Sequence, residues 1–255
     1  PEEMLKGVEL THTHLSYLSE TGILYDNTLD NKAVPIISGG GSGHEPAHIG
    51  YVGAGMLAAA VTGPLFVPPR AKNILKAIRQ VNSGKGVFVI IKNFEADLKE
   101  FKKAIEEART EGIDVRYIVS HDDISVNTYN FHKRHRGVAG TILLHKVLGA
   151  FAKEGASIDE IEQLALSLSP EIYTLGVALA PVNFPHHRTS FLLAEDEVSF
   201  GVGIHGEPGY RIEKFEGSER IAVELVNKLK AEINWQKKAN KNYILLVNGL
   251  GSTTL

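Results

Sequence analysis

The chain has 255 residues, 43% of them hydrophobic and 22% charged, with a formal net charge of -3. That is ordinary globular composition, long enough for one large core or two modest ones, and it excludes the strongly basic footprint of a protein that grips nucleic acid unaided. There are no cysteines, which excludes disulfides, thiolate metal sites and thiol nucleophiles, and no apolar run reaches the roughly 18 residues that span a bilayer.

The opening residues 1–6 contain neither an initiator methionine nor a signal peptide, so the sequence is expected to begin inside a longer product. Residues 34–37 are a short apolar run that meets Gly39, Gly40 and Gly41, which predicts a buried strand entering a turn. Residues 47–60 are rich in small side chains and predict a closely packed helix. Ile74, Leu75, Ile78 and Val81 have helical spacing over residues 71–82. Residues 86–91 form a continuous apolar strand of the kind buried on both faces of a parallel sheet. A charged amphipathic helix over 99–111 and a strand over 115–119 follow. Helices are predicted over 141–153 and 158–167, the second with Ser157 and Glu160 spaced as a capping box.

Near Pro170 the texture changes. Residues 173–179, 190–193 and 198–204 are strand-like, 219–233 helical, and 243–247 a last strand entering a glycine turn. A domain rarely stops there, so a further C-terminal stretch is expected. The alternation of strand and helix predicts two α/β domains with mixed, largely parallel sheets, spanning 1–170 and 171–255, with the ligand pocket among loops at strand ends.

Three motifs carry chemistry. The first is Gly39-Gly40-Gly41-Ser42-Gly43-His44-Glu45-Pro46. Its glycines permit positive φ and a close backbone approach to a ligand. No Walker lysine follows, and a plain tight turn is the competing reading. The second is Gly203-Ile204-His205-Gly206-Glu207-Pro208-Gly209. A lone loop histidine is usually structural, but His-Gly-Glu-Pro echoes the Gly-His-Glu-Pro of the first motif. The echo suggests two histidines serving one pocket. The third places Lys92 and Asp97 just after a buried strand, where open α/β sheets keep their sites. Asp122 and Asp123 read as loop or cap residues rather than metal ligands. The basic cluster at 132–136, His186-His187 and Trp235 read as solvated loop or helix-end residues, and Asn248-Gly249-Leu250-Gly251 as either a ligand turn or a plain one.

Together, and in this order, these motifs resemble the substrate-binding K subunit of dihydroxyacetone kinases over essentially the whole chain. Arg136-Gly137-Val138-Ala139-Gly140-Thr141 and Asn248-Gly249-Leu250-Gly251 add to the match. The resemblance implies two α/β domains, a homodimer, and capture of dihydroxyacetone as a hemiaminal on His205. It further implies that His44 acts as acid and base, that Asp97 accepts from a sugar hydroxyl, and that Lys92 with the backbone of Gly41, Ser42 and Gly43 holds the remaining oxygens. It calls for no cofactor, no metal and no membrane, and fits a cytoplasmic protein.

The chain departs from the kinase-active pattern in two places. Val67, Pro68 and Pro69 stand where active members have a Thr-Ser pair after the phenylalanine matching Phe66. Phe94-Glu95-Ala96 stands where they have Tyr-Thr-Gly. These changes resemble the coactivator branch of the family, whose members bind dihydroxyacetone and associate with a TetR-type transcription factor, DNA contact belonging to the partner. An active K subunit with a variant loop, and a sugar-binding protein without covalent capture, are the competing readings.

Overall fold

A computed structural model of the chain describes residues 1–125, 135–181, 191–236 and 241–249. Two compact units emerge: Pro1–Ser120 with Thr141–Pro170, and His121–Gly140 with Glu171–Leu255. The stretch 121–140, inside the expected span 1–170, therefore groups with the second unit.

The first unit is mixed α/β. Its sheet holds β1 (Leu15–Leu18), β2 (Ile23–Asp26), β3 (Ile36–Ser42), β4 (Ala59–Leu65), β5 (Val87–Lys92) and β6 (Val115–Ser120), in spatial order β1-β2-β4-β3-β5-β6. β4, β3, β5 and β6 run parallel; β1 and β2 add an antiparallel hairpin at the β4 edge. No sequence signal had placed that hairpin, or α1 (Glu2–Thr11) before it. The remaining helices of this unit are α2 (Ala71–Val81), α3 (Glu95–Thr110), α4 (Thr141–Lys153) and α5 (Ile158–Leu168).

Strand alternation sorts the core. Ile37 of β3 and Val87, Val89 and Ile91 of β5 face α2 and α3, meeting Ile74, Ile78, Phe101 and Ile105, all buried. The opposite face of β3 and β5 carries α4. Each such side chain contributes roughly 1.5–3 kcal/mol through burial. α3 starts earlier than its hydrophobic spacing predicted, because Glu95 and Asp97 fall in its first turn, where carboxylates favour the positive end of the helix dipole. The predicted capping box of α5 forms: Ser157 Oγ accepts from Glu160 N–H while Glu160 accepts from the Ser157 backbone.

Two sequence expectations fail here. The glycines 39–41 are not a turn but lie inside β3, every residue of which is buried. Pairing with Val61, Thr62 and Gly63 of β4 outweighs their poor strand propensity. Residues 47–60 form no α-helix. They hold a 3-10 turn, Ile49–Tyr51, and the start of β4, whose Ala59, Ala60 and Val61 are buried between β2 and β3. Pairing on both edges overrides the helical preference of alanine.

The second unit has an antiparallel sheet of β7 (Val177–Ala178), β8 (Glu197–Phe200) and β9 (Arg211–Lys214), followed by α6 (Ser218–Glu232). The strand-like run at 173–179 contracts to two residues. Residues 191–193 form no strand, and Ser190 lies outside the described residues. Residues 243–247 form no strand either, and Ile244, Leu245 and Val247 are exposed; among the described residues no strand pairs with them, and apolar alternation makes a strand only where an edge receives it. His132, His186, His187, Leu250 and Gly251 also lie outside the described residues. No described helix is long and apolar enough to cross a membrane.

Candidate functional site

In the first unit the ends of β3, β4 and β5 bring Gly41, Ser42, Gly43, His44 and Lys92 to the carboxyl edge of the sheet, with Asp97 in the first turn of α3. His44, Lys92 and Asp97 are all buried. A Cβ on Gly41 would lie 2.5 Å from Val67 N and 2.7 Å from Phe66 Cα. Only a bare α-carbon lets the β4 turn close on β3. Gly43 sits at φ 98°, beside the Phe66 ring. Phe66 itself is held at φ 52°, a left-handed conformation that a bulky residue adopts at a cost of about 1–3 kcal/mol. Its ring meets His44 edge-on at 4.8 Å between centroids, so the strained turn holds the imidazole. We expect Gly41→Ala to lower stability by about 1–3 kcal/mol, the usual penalty of overpacking against backbone. An unchanged thermal midpoint would contradict this packing.

Of the three backbone groups expected to hold ligand oxygens, the Gly43 N–H donates to Glu45 Oε2 at 2.8 Å and so is engaged within the chain. Lys92 lies over Gly40: a Cβ there would be 3.0 Å from its Nζ and 3.5 Å from His48 Nε2.

His48 and His145 were not singled out from sequence. Their rings meet at 5.1 Å, and Tyr51 lies 5.8 Å from His145. Both histidines are buried, and their ring nitrogens, like Ser42 Oγ, have no hydrogen-bond partner among the described residues. Burial, then the Lys92 ammonium, pushes His145 down to about 3. Burial, then Lys92, His145 and His44, pushes His48 well below the usual imidazole range. Both rings are neutral at physiological pH. His48 was visible at the end of the glycine motif, but nothing in the helical pattern of α4 marks His145 as a neighbour.

In the second unit His205 lies in the turn between β8 and β9. Its backbone N–H donates to Glu207 Oε2 at 3.0 Å, and its Nδ1 is 3.2 Å from Glu207 Oε1. Burial opposes ionisation of Glu207, but hydrogen bonds from the His205 ring and from backbone N–H groups win and hold its carboxyl down at about 2. An ionised carboxylate only accepts, so Nδ1 is the donor of this pair. Arg136 Nη1 lies 3.9 Å from Glu207 Oε2.

Asp122 and Asp123 are loop-building residues. Asp122 accepts from Val138 N and Gly140 N, and Asp123 from Ser125 N and Arg136 Nε. No cluster of three potential metal ligands occurs among the described residues. Trp235 stacks on Tyr243 at 4.6 Å.

The Dak1 domain family model matches residues 6–255 of the chain. The sequence is 89% identical over 255 residues to the "DhaKLM operon coactivator DhaQ" of Lactococcus lactis subsp. lactis (strain IL1403), covering 100% of this chain and 78% of that protein. It is 44% identical over 255 residues to the same organism's "PTS-dependent dihydroxyacetone kinase, dihydroxyacetone-binding subunit DhaK", covering 99% of this chain and 76% of that one. Among solved structures, "Dihydroxyacetone kinase operon co-activator Dha-DhaQ" superposes with a TM-score of 0.96 at 88% identity, over 100% of this chain and 78% of that one. The dihydroxyacetone kinase from C. freundii in complex with AMP-PNP and Mg2+ superposes with a TM-score of 0.83 at 35% identity, over 90% of this chain and 43% of that one.

Proposed function

The chain belongs to the Dak1 domain family, and from that premise we propose that it is a dihydroxyacetone-binding sensor that coactivates transcription of a dihydroxyacetone kinase operon rather than transferring phosphate. The observation that carries this reading is the 89% identity, over the full chain, to a relative named as an operon coactivator. The protein captures the ketone on His205 and, as a homodimer in the cytoplasm, engages a TetR-type transcription factor that makes the DNA contact.

The residue chemistry supports capture. The His205 Nε2 lone pair attacks the ketone carbon, forming an N–C bond as the carbonyl π bond breaks. The oxygen takes a proton from His44 acting as acid, and positive charge develops on the ring. Glu207, 3.2 Å from Nδ1, stays ionised and stabilises that charge, so the product is a hemiaminal whose ring is ion-paired with the Glu207 carboxylate. Glycerol, with no carbonyl, is excluded. Asp97 and Lys92 hold the hydroxyl groups, with Gly41, Ser42 and Gly43 lining the loop.

The surroundings do not favour phosphoryl transfer. Val67, Pro68 and Pro69 follow Phe66 against Gly41 and Gly63, and two of the three lack an N–H. Glu95 is an exposed carboxylate at the start of α3. A negative charge beside an incoming phosphate raises the barrier, since catalysis of that transfer is largely electrostatic.

The test is a phosphotransfer assay with the family's nucleotide-bearing L subunit and ATP. We expect no dihydroxyacetone phosphate above background. Turnover within the ordinary range of about 1–100 s⁻¹ would instead make the chain an active K subunit, the reading that its 44% identity to DhaK supports.

A further inference from the structure

The motif Arg136 to Thr141 has no share in the capture chemistry above, yet it delivers Arg136 to the His205 loop. Backbone bonds fix the segment first. Asp122 Oδ1 accepts from Val138 N at 3.0 Å and its Oδ2 from Gly140 N at 2.8 Å, while Asp123 N donates to the Arg136 carbonyl at 3.0 Å. The guanidinium is then pinned on two sides. Its Nε donates to Asp123 Oδ2 at 2.6 Å, and its Nη2 donates to Ser125 Oγ at 2.8 Å and to the Gly201 carbonyl at 3.0 Å. Nη1 is left pointing at Glu207 Oε2, 3.9 Å away. The Arg136 and Asp123 side chains are only 13% and 5% exposed, so solvent screens this arrangement weakly. A Cβ on Gly203 would overlap both Glu207 Oε2 and Arg136 Nη1; the bare glycine is what lets the two groups approach.

We infer that Arg136 is a positioning residue for His205, acting through a relay Asp123–Arg136–Glu207–His205 that orients the Glu207 carboxylate and thereby selects the Nδ1-protonated imidazole. The inference rests on the capture reading above. A planar guanidinium anchored at two donors presents its third in one direction, which a lysine ammonium cannot do. With Oε2 held by the Arg136 charge and the His205 N–H, Oε1 is the oxygen turned to Nδ1. Partners of this kind fix the tautomer of a working histidine, and their loss typically lowers its performance about 10–100-fold.

The experiment compares wild type, Arg136→Gln and Arg136→Lys by nitrogen NMR of the histidine rings without ligand, and by the rate at which carbon-13-labelled dihydroxyacetone loses its ketone signal. We expect wild-type His205 to carry its proton on Nδ1. Arg136→Gln should shift the population toward the Nε2-protonated form and slow capture by about 10–100-fold. Arg136→Lys, which keeps the charge but not the fork, should leave the tautomer mixed. If Arg136→Gln does not melt cooperatively, Asp123→Asn/Arg136→Gln, which removes the stranded carboxylate, takes its place. An unchanged tautomer population in a folded variant overturns the relay. A wild-type protein that forms no adduct overturns the capture reading instead, and the ring spectra still decide the relay.

Discussion

Native mass spectrometry of the wild-type protein with excess dihydroxyacetone is expected to give one complete ketone added per chain, and His205→Ala none. The mass is diagnostic because addition to a carbonyl retains its oxygen, whereas a lysine Schiff base loses water. No other change to the chain should have so large an effect, since the proposed N–C bond is to that ring alone. Glu207→Gln keeps the volume but replaces an acceptor-only carboxylate by an amide that can donate. With the carboxylate 3.2 Å from Nδ1 replaced, the imidazole can hold its proton on either nitrogen, and capture should slow by about 10–100-fold. His44→Ala should reach the same end point more slowly, by about 10²–10⁴-fold if His44 supplies the proton. Capture by His205→Ala at the wild-type level would refute the assignment of the nucleophile.

Acidification is expected to destabilise the first unit steeply, through His145 and His48. An unfolded histidine titrates near 6.5, whereas burial and then Lys92 hold folded His145 at about 3. Above about pH 6.5 both states are neutral and the ring contributes nothing to the pH dependence. Below it the unfolded chain takes up a proton that the folded chain refuses, so stability falls as pH falls. The loss approaches about 1.4 kcal/mol per pH unit and totals about 5 kcal/mol by pH 3 for His145 alone. His48 shifts in the same direction and steepens the decline. That is a large part of the roughly 5–15 kcal/mol by which domains are stable. Urea unfolding at pH 7.5, 6, 5 and 4 measures it, and His145→Phe, which keeps a buried ring without a proton site, should flatten the curve by about one proton. Equal slopes in variant and wild type would show that His145 does not govern the acid limb.

Sequence by itself determined the mixed α/β class, because β5 is apolar from Val87 to Ile91 and α2, α3, α4 and α5 keep a helical period. Those signals are local: burial on both faces needs an unbroken apolar run, and a cap needs residues three apart. It also singled out the glycine loop with His44 and the His205 turn, since chemistry-bearing residues beside glycines stand out in any register, and the β5 end with Lys92 and Asp97, since they follow a buried apolar strand. Tertiary structure decided the rest. Gly39, Gly40 and Gly41 became strand because β4 pairs with them, and the alanines of β4 lost their helix because β2 and β3 pair with them on both edges. The run at 243–247 stayed irregular because no described strand offers it an edge. His145 became a neighbour of His48 only when α4 packed on β3. Arg136, distant in sequence from Glu207, reaches it because Asp122 and Asp123 fold residues 136–140 back into the second unit. A periodicity reports which face of an element is buried, not which other element covers it, and the partners of His145 and Glu207 are of that second kind.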